Sequence, residues 1–160
     1  MNADVLLDAV DRRLLAALQV DARQTFDALG AAVGLSASAT LRRVRRLEQE
    51  GMIAGYRAEL VPERLGLGLT AYVNVRLEKH TPDERRSPME SFRAAVHTWP
   101  EVVECSALAG EMDYLLRILV RDMEHYARFL RATLLQHPSV QDCKTSFVLE
   151  RVKVRTAVPL

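Results

Sequence analysis

An α+β protein in two parts is what the 160-residue sequence predicts, and three observations carry that reading. Residues 1–60 hold three short helical patterns, the last two joined by the turn Val33-Gly34-Leu35-Ser36. From Leu69 the apolar residues recur at every second position instead of every third or fourth, as a half-buried strand requires. The segments that follow read strand, helix, strand, strand, helix, strand. That order is the split βαβ plan, an antiparallel sheet with helices covering one face.

The first helix is expected over residues 8–20, DAVDRRLLAALQV, because Val10, Leu14, Leu15 and Leu18 share a face. The second fits TFDALGAAVG, with Thr25 as N-cap and Gly34 just past the end. Ser36 caps the third, which closes at Gly51. With a glycine where the turn needs one, the second and third helices form a helix-turn-helix. MIAGYRAEL then reads as a short strand or wing, and VPERLGLG as a linker. In TAYVNVRL, Tyr72, Asn74 and Arg76 oppose Ala71, Val73, Val75 and Leu77. TPDERRSP is a charged, proline-bounded loop before a helix over MESFRAAVHTW that Pro100 stops. VVECSALA and YLLRILV are strands joined by GEMD, a hairpin. MEHYARFLRATLLQ is an amphipathic helix, and VQDCKTSFVLERVKV a final strand with an extended tail. The domains are drawn at 1–60 and 69–160, with a linker at 61–68.

Formal net charge is +1, so any attraction to a polyanion needs a local patch. Residues 1–60 balance eight arginines against eight acids, yet four of those arginines fall within positions 42–46. No run of 18 apolar residues exists, and the N-terminus MNADVLLDAVDRR is acidic where a signal peptide is basic. Cys105 and Cys143 match no metal-ligand spacing and are too few for a disulfide scaffold. Composition therefore points to a cytoplasmic protein that does not enter a membrane.

The third helix, SASATLRRVRRLEQEG, places Leu41, Val44 and Leu47 with Ala37 and Thr40 on one side. Ser38, Ala39, Arg42 and Arg46 face the opposite way, with Arg43 and Arg45 on the flanks. A small, polar N-terminal half lets a helix sink into a groove, and guanidinium groups pair bidentately with guanine edges or phosphates. The plainer alternative is a solvated helix whose arginines pair with Glu48 and Glu50. Its position as the second helix of a helix-turn-helix favours a recognition helix.

At the hairpin GEMDY, Gly110 is expected at positive φ, exposing backbone N–H groups to a carboxylate, and Asp113 offers a carboxylate to an ammonium. Those are the two complements of an α-amino acid; glycine followed by polar residues is equally what any hairpin looks like. His80, His97, His125 and His137 sit singly, so no metal or cofactor site is expected. Trp99 reads as a packing anchor, and Met112 and Met123 as core or pocket lining. No nucleophile elbow, P-loop or dinucleotide fingerprint is present.

DAVDRRLLAALQVDAR (residues 8–23), GLSASATLRRVRRLEQEGMI (34–53), GEMDYLLRILVRDMEHYARFL and TSFVLERVKV together resemble the Lrp/AsnC, or feast-famine, family of leucine-responsive and asparagine-operon regulators. The resemblance runs along nearly the whole chain. It implies a transcriptional regulator, not an enzyme, that binds double-stranded DNA through a winged helix-turn-helix. A C-terminal ferredoxin-like domain would pair subunits into homodimers, often assembled to octamers, and sense an amino acid. In relatives the effector lies at contacts between dimers, against the hairpin that here is Leu108, Ala109, Gly110, Glu111, Met112, Asp113 and Tyr114. The facing final strand, Thr145, Ser146, Phe147 and Val148, contributes too. Thr25, Ser36, Ser38, Ala39, Arg42, Arg43, Arg45 and Arg46 would meet DNA. Two other readings stand beside this one. One is a ligand-insensitive architectural protein that wraps DNA. The other is an enzyme like the sirohaem decarboxylases, against which the intact arginine helix and a wing without an arginine pair both argue.

Overall fold

A computed structural model describes residues 7–79, 87–153 and 157–160; His80, most of the loop TPDERRSP and the first six residues lie outside the described residues. The chain divides into two units, the first comprising residues 1–59 and Lys153–Leu160, the second Leu60–Val152. The last residues, Lys153–Leu160, group with the first unit.

In the first unit, α1 (Ala9–Val20) starts at Asp8 in a reciprocal capping box: the Asp11 N–H donates to Asp8, and the Asp8 N–H to Asp11. α2 (Phe26–Val33) starts at Thr25, whose hydroxyl accepts from the Ala28 N–H, and ends at Gly34 with φ 77°. That left-handed conformation is the one glycine adopts without a Cβ clash. α3 (Ala37–Gln49) starts at Ser36, which accepts from the Ala39 N–H. Leu14, Leu29 and Val33 form the buried centre, with Val10, Ala17, Leu18 and Leu35 packed around them. Gly30, which the sequence reading passed over, allows the closest approach in this unit. A Cβ there would lie 2.5 Å from the Leu35 carbonyl oxygen and 2.9 Å from Thr40 Oγ1. The expected strand or wing over residues 52–60 is not a strand, because it finds no ladder partner among the described residues. The linker holds one 3-10 turn, Pro62–Leu65, closed by Gly66.

The second unit contains β1 (Leu69–Leu77), α4 (Pro88–Val96), β2 (Val102–Ala107), β3 (Tyr114–Val120), α5 (Met123–Phe129) and β4 (Val140–Phe147). The strands form one antiparallel sheet in the order β2-β3-β1-β4, the ferredoxin-like arrangement. Alternation along β1 buries Ala71, Val73, Val75 and Leu77, and β3 likewise buries Tyr114, Leu116, Ile118 and Val120. These meet Phe92 and Val96 of α4 and Tyr126 and Phe129 of α5 in one core.

Several boundaries move. α4 ends at Val96, before Pro100 can act, because Thr98 and Trp99 turn back onto the Ala95 and Val96 carbonyls. That turn seats Trp99 5.7 Å from Phe92 and 5.9 Å from Phe129, the anchoring expected of it. The helix begun by α5 widens to π winding over Leu130–Leu134, yet still buries Leu134 completely. Met112 is buried, but Met123 is exposed and lines no core. β2 stops at Ala107 and β4 at Phe147, so the final strand is shorter than its apolar pattern suggested.

Cys105 on β2 and Cys143 on β4 lie on opposite edge strands and are free thiols. Both are expected to react with a thiol reagent in the denatured, non-reduced protein; a bridge within one chain would contradict the strand order, since the Cα atoms must approach within about 7 Å. Gly30→Ala should destabilise the first unit by roughly 1–3 kcal/mol through overpacking, read from its urea midpoint. An unchanged midpoint would mean that α2 and α3 separate at no cost.

Candidate functional sites

Four arginines on α3 divide into two pairs. Arg43 donates to Asp8 at 2.6 Å and to Asp11 at 2.8 Å, while Arg46 donates to the other Asp11 oxygen. Asp11 is only 1% exposed. A carboxylate so removed from water needs its charge balanced and its lone pairs filled, and two guanidinium groups do both. Asp8 is held down at about 2, chiefly by the Asp11 N–H and then by Arg43. Arg46, expected to face outward beside Arg42, is thus bound to α1 and lies 3.7 Å from Glu50. Arg43, expected on the flank, is bound in the same way. Both orient the helix through these carboxylates while staying partly open to water.

Arg42 and Arg45 are exposed and make no ion pair among the described residues. With Ser38, Leu41 and Gln49 they line a shallow depression along α3, Arg46 standing at its side. A second depression runs from Arg23, Gln24, Thr25, Phe26 and Asp27 to Ala37, Ser38 and Leu41. The start of α2 therefore opens onto the same surface. Ser38 is exposed, Ala39 half-buried, and the Ser36 and Ser38 hydroxyls lie 3.2 Å apart. Arg23 and Gln49 were not singled out from sequence; Arg23, two residues before an N-cap, carried the one available signal. Tyr56 donates to Glu48 at 2.8 Å, tying the segment after Gly51 to α3. Its phenol is pushed up to about 12 by burial and by the Glu48 carboxylate.

In the second unit, Leu108, Ala109, Gly110 and Glu111 form the exposed tip between β2 and β3. Gly110 does not have the positive φ expected of it; Gly34, Gly51, Gly55 and Gly66 do. The N–H groups of Ala109, Gly110 and Glu111 make no hydrogen bond among the described residues, so they stay open to an anion without that strain. Asp113 is half-buried, and its Oδ2 accepts from the Leu77 N–H at 2.7 Å. The pairing of β1 with β4 shifts register between Arg76 and Leu77, and the carboxylate serves the N–H beside that shift. Glu111 accepts from Arg76 at 2.7 Å and lies 3.7 Å from Lys144. Met112 and Tyr114 are buried, Tyr114 accepting from Arg93.

Thr145 bonds the Tyr126 hydroxyl, and Phe147 packs edge-on against Tyr126 at 5.0 Å. Ser146 is exposed, and the Val148 N–H donates to the Thr70 carbonyl. Tyr114 pairs with Val75, whereas Phe147 pairs with Ala71, four positions back along β1. At ~3.3 Å per residue that is ~13 Å. One chain does not bring the hairpin and the end of β4 together.

Comparisons with known proteins agree with this layout. The AsnC-type helix-turn-helix domain matches residues 7–48, and the Lrp/AsnC ligand binding domain residues 70–158. The chain is 42% identical over 154 residues to the Bkd operon transcriptional regulator of Pseudomonas aeruginosa, covering 96% of this chain and 98% of that one. It is 43% identical over 147 residues to the leucine-responsive regulatory protein of Salmonella typhimurium, covering 92% and 87%. A transcriptional regulator of Neisseria meningitidis, crystallised as an L-Met complex, superposes with TM-score 0.91 at 42% identity, covering 96% and 97%. A feast or famine regulatory protein of M. tuberculosis complexed with L-methionine gives 0.83 at 29% identity, covering 96% and 99%.

Removing the buried carboxylate is the test of the network. Asp11→Ala strands two guanidinium groups, and breaking a buried pair costs about 3–5 kcal/mol. Because Arg43 and Arg46 are partly open to water, the low end, about 3 kcal/mol, is expected from denaturant titration of the first unit. A loss below about 1 kcal/mol would reduce them to solvated surface charges. The Asp8 contribution is present above its ordinary value of 3.8 and is lost as pH falls through about 2. Asp8→Asn should flatten that acid limb.

Proposed function

This chain belongs to the Lrp/AsnC family of transcriptional regulators, and from that membership we propose that α3 reads double-stranded DNA while the second unit senses a free amino acid. The observation that carries the DNA reading is the division of the arginines: Arg43 and Arg46 fix α3 on α1, leaving Arg42 and Arg45 turned outward beside Ser38. Small residues at the start of α3 admit it to a major groove, where Arg42 meets base edges and Arg45 phosphate. Thr25 starts α2 on the same surface, where a helix N-terminus turns its N–H groups to the backbone. A homodimer sets two such helices in successive major grooves of a pseudo-palindrome.

The sensor reading rests on the open N–H groups at Ala109–Glu111, which suit an α-carboxylate, and on Asp113, whose second oxygen remains for an ammonium. The L-Met complexes of two relatives support an amino acid as the effector class. Since the hairpin and the Thr145–Val148 segment stand apart in one chain, the site joins the hairpin of one copy to the strand of another. Such a site belongs to an assembly of dimers, an octamer by family habit, working in the cytoplasm. Effector entering between dimers changes which DNA sites can be held together.

Arg42→Ala should weaken a cognate operator by roughly 1–3 kcal/mol and random DNA by less, whereas Arg45→Ala should weaken both alike. Equal losses for Arg42→Ala on both DNAs, measured by fluorescence anisotropy, would remove it from base reading. A thermal-shift screen over the twenty amino acids separates sensor from ligand-insensitive architecture, because a ligand of the native state raises the melting temperature. For the amino acid so found, Asp113→Asn should bind about tenfold to a hundredfold more weakly by calorimetry, from roughly 1.5–3 kcal/mol of charge-assisted bonding. The amide keeps an oxygen for the Leu77 N–H, so folding should survive; unchanged affinity would leave Asp113 a purely structural residue.

A further inference from the structure

The first unit carries an apolar groove of about 390 Å³ whose walls include Leu15 and Leu18 of α1 and Ile53 and Tyr56 after α3. Val158 and Leu160, from the far end of the chain, lie along it. Gln19 of α1 fixes them there: its Nε2 donates to the Val158 carbonyl at 3.1 Å, and its Oε1 accepts from the Val158 N–H. A primary amide offers donor and acceptor side by side in one plane, so Gln19 pairs with Val158 as a neighbouring strand would. Pro159 restricts Val158 to extended backbone, which lowers the entropy lost when the tail is seated. The seat is shallow, with Val158 66% and Leu160 48% exposed, so the contact can open and close.

We propose that residues 157–160 are a strap, a packing element that the chain's own C-terminus supplies to the DNA-binding unit. The strap gives that unit a second covalent tie to the sensor unit, besides the linker, because the tail continues from β4 through Val152. A change at the end of β4 then reaches α1 through the tail. This last step rests on the sensor reading above; the strap itself does not.

Hydrogen–deuterium exchange on the full-length protein tests it, with two variants and their combination: a chain ending at Thr156, Gln19→Leu, and both together. Gln19→Leu keeps apolar volume and removes both hydrogen bonds. The expected results are an at least tenfold faster exchange of the Val158 amide in Gln19→Leu, and faster exchange over the last turn of α1 in both single variants. The double variant should match the truncation, since Gln19 acts through the tail. An unprotected Val158 amide in the wild type, or a further rise in the double variant, would overturn the strap. Operator affinity of the truncated chain should stay within about twofold, while the effector's influence on it falls severalfold. A wild type with no effector response would sink the sensor reading alone, and exchange would still decide the strap.

Discussion

Asp11 is the constraint on which the first unit turns. Its carboxylate caps α1, is closed off from water, and is met by two guanidinium groups. Both cations come from one face of α3, one turn apart, so the distance from α1 to α3 and the roll of α3 about its axis are set together. Arg43 reaches Asp8 and one Asp11 oxygen through a single nitrogen, Nη1, and Arg46 meets the other Asp11 oxygen, so the carboxylate is held from two sides. With Arg43 and Arg46 engaged on α1, Arg42 and Arg45 are the two arginines of α3 that stay exposed without an ion pair among the described residues. The exposed face of α3 is set by a buried acid on another helix.

A carboxylate plays the comparable part in the second unit, in a different idiom. β1 is the central strand that joins β3 to β4, and its far end would carry a register shift beside an unserved N–H if Asp113 were not there. The side chain thus fastens the start of β3 to the end of β1 and holds the hairpin tip in place. One carboxylate couples the hairpin to the end of the central strand without any moving part between them. Glu111, tied to Arg76 and Lys144 across the strands, adds a second brace at the same end of the sheet.

Local signals were legible in the sequence and distant ones were not. Thr25, Ser36 and Gly34 announced their caps because a cap acts within three or four residues. The period-2 run over residues 69–77 and the order of segments led to the right sheet. The ties of Arg43 and Arg46 to Asp8 and Asp11 span 32 to 35 residues, and nothing in an arginine run says which member will turn inward. Gly30 looked like any small helical residue, since its need for no side chain comes from the Leu35 carbonyl across the turn. Gly110 misled in the opposite sense: a glycine permits positive φ without requiring it. The tail read as a plain extension of the last strand, because its partner Gln19 lies 139 residues away.

Counterions give the arginine division a thermodynamic face. A cation approaching DNA releases condensed salt only to the extent that its charge is not already neutralised, and each phosphate so met adds about 0.9 to the slope of log affinity against log salt. Composition alone would credit α3 with four such charges. Two of them sit on internal carboxylates, so each copy of the helix brings about two. On the proposed DNA reading, its binding is correspondingly less steep in ionic strength than its sequence advertises, and a larger share of its affinity survives at the salt of a living cell.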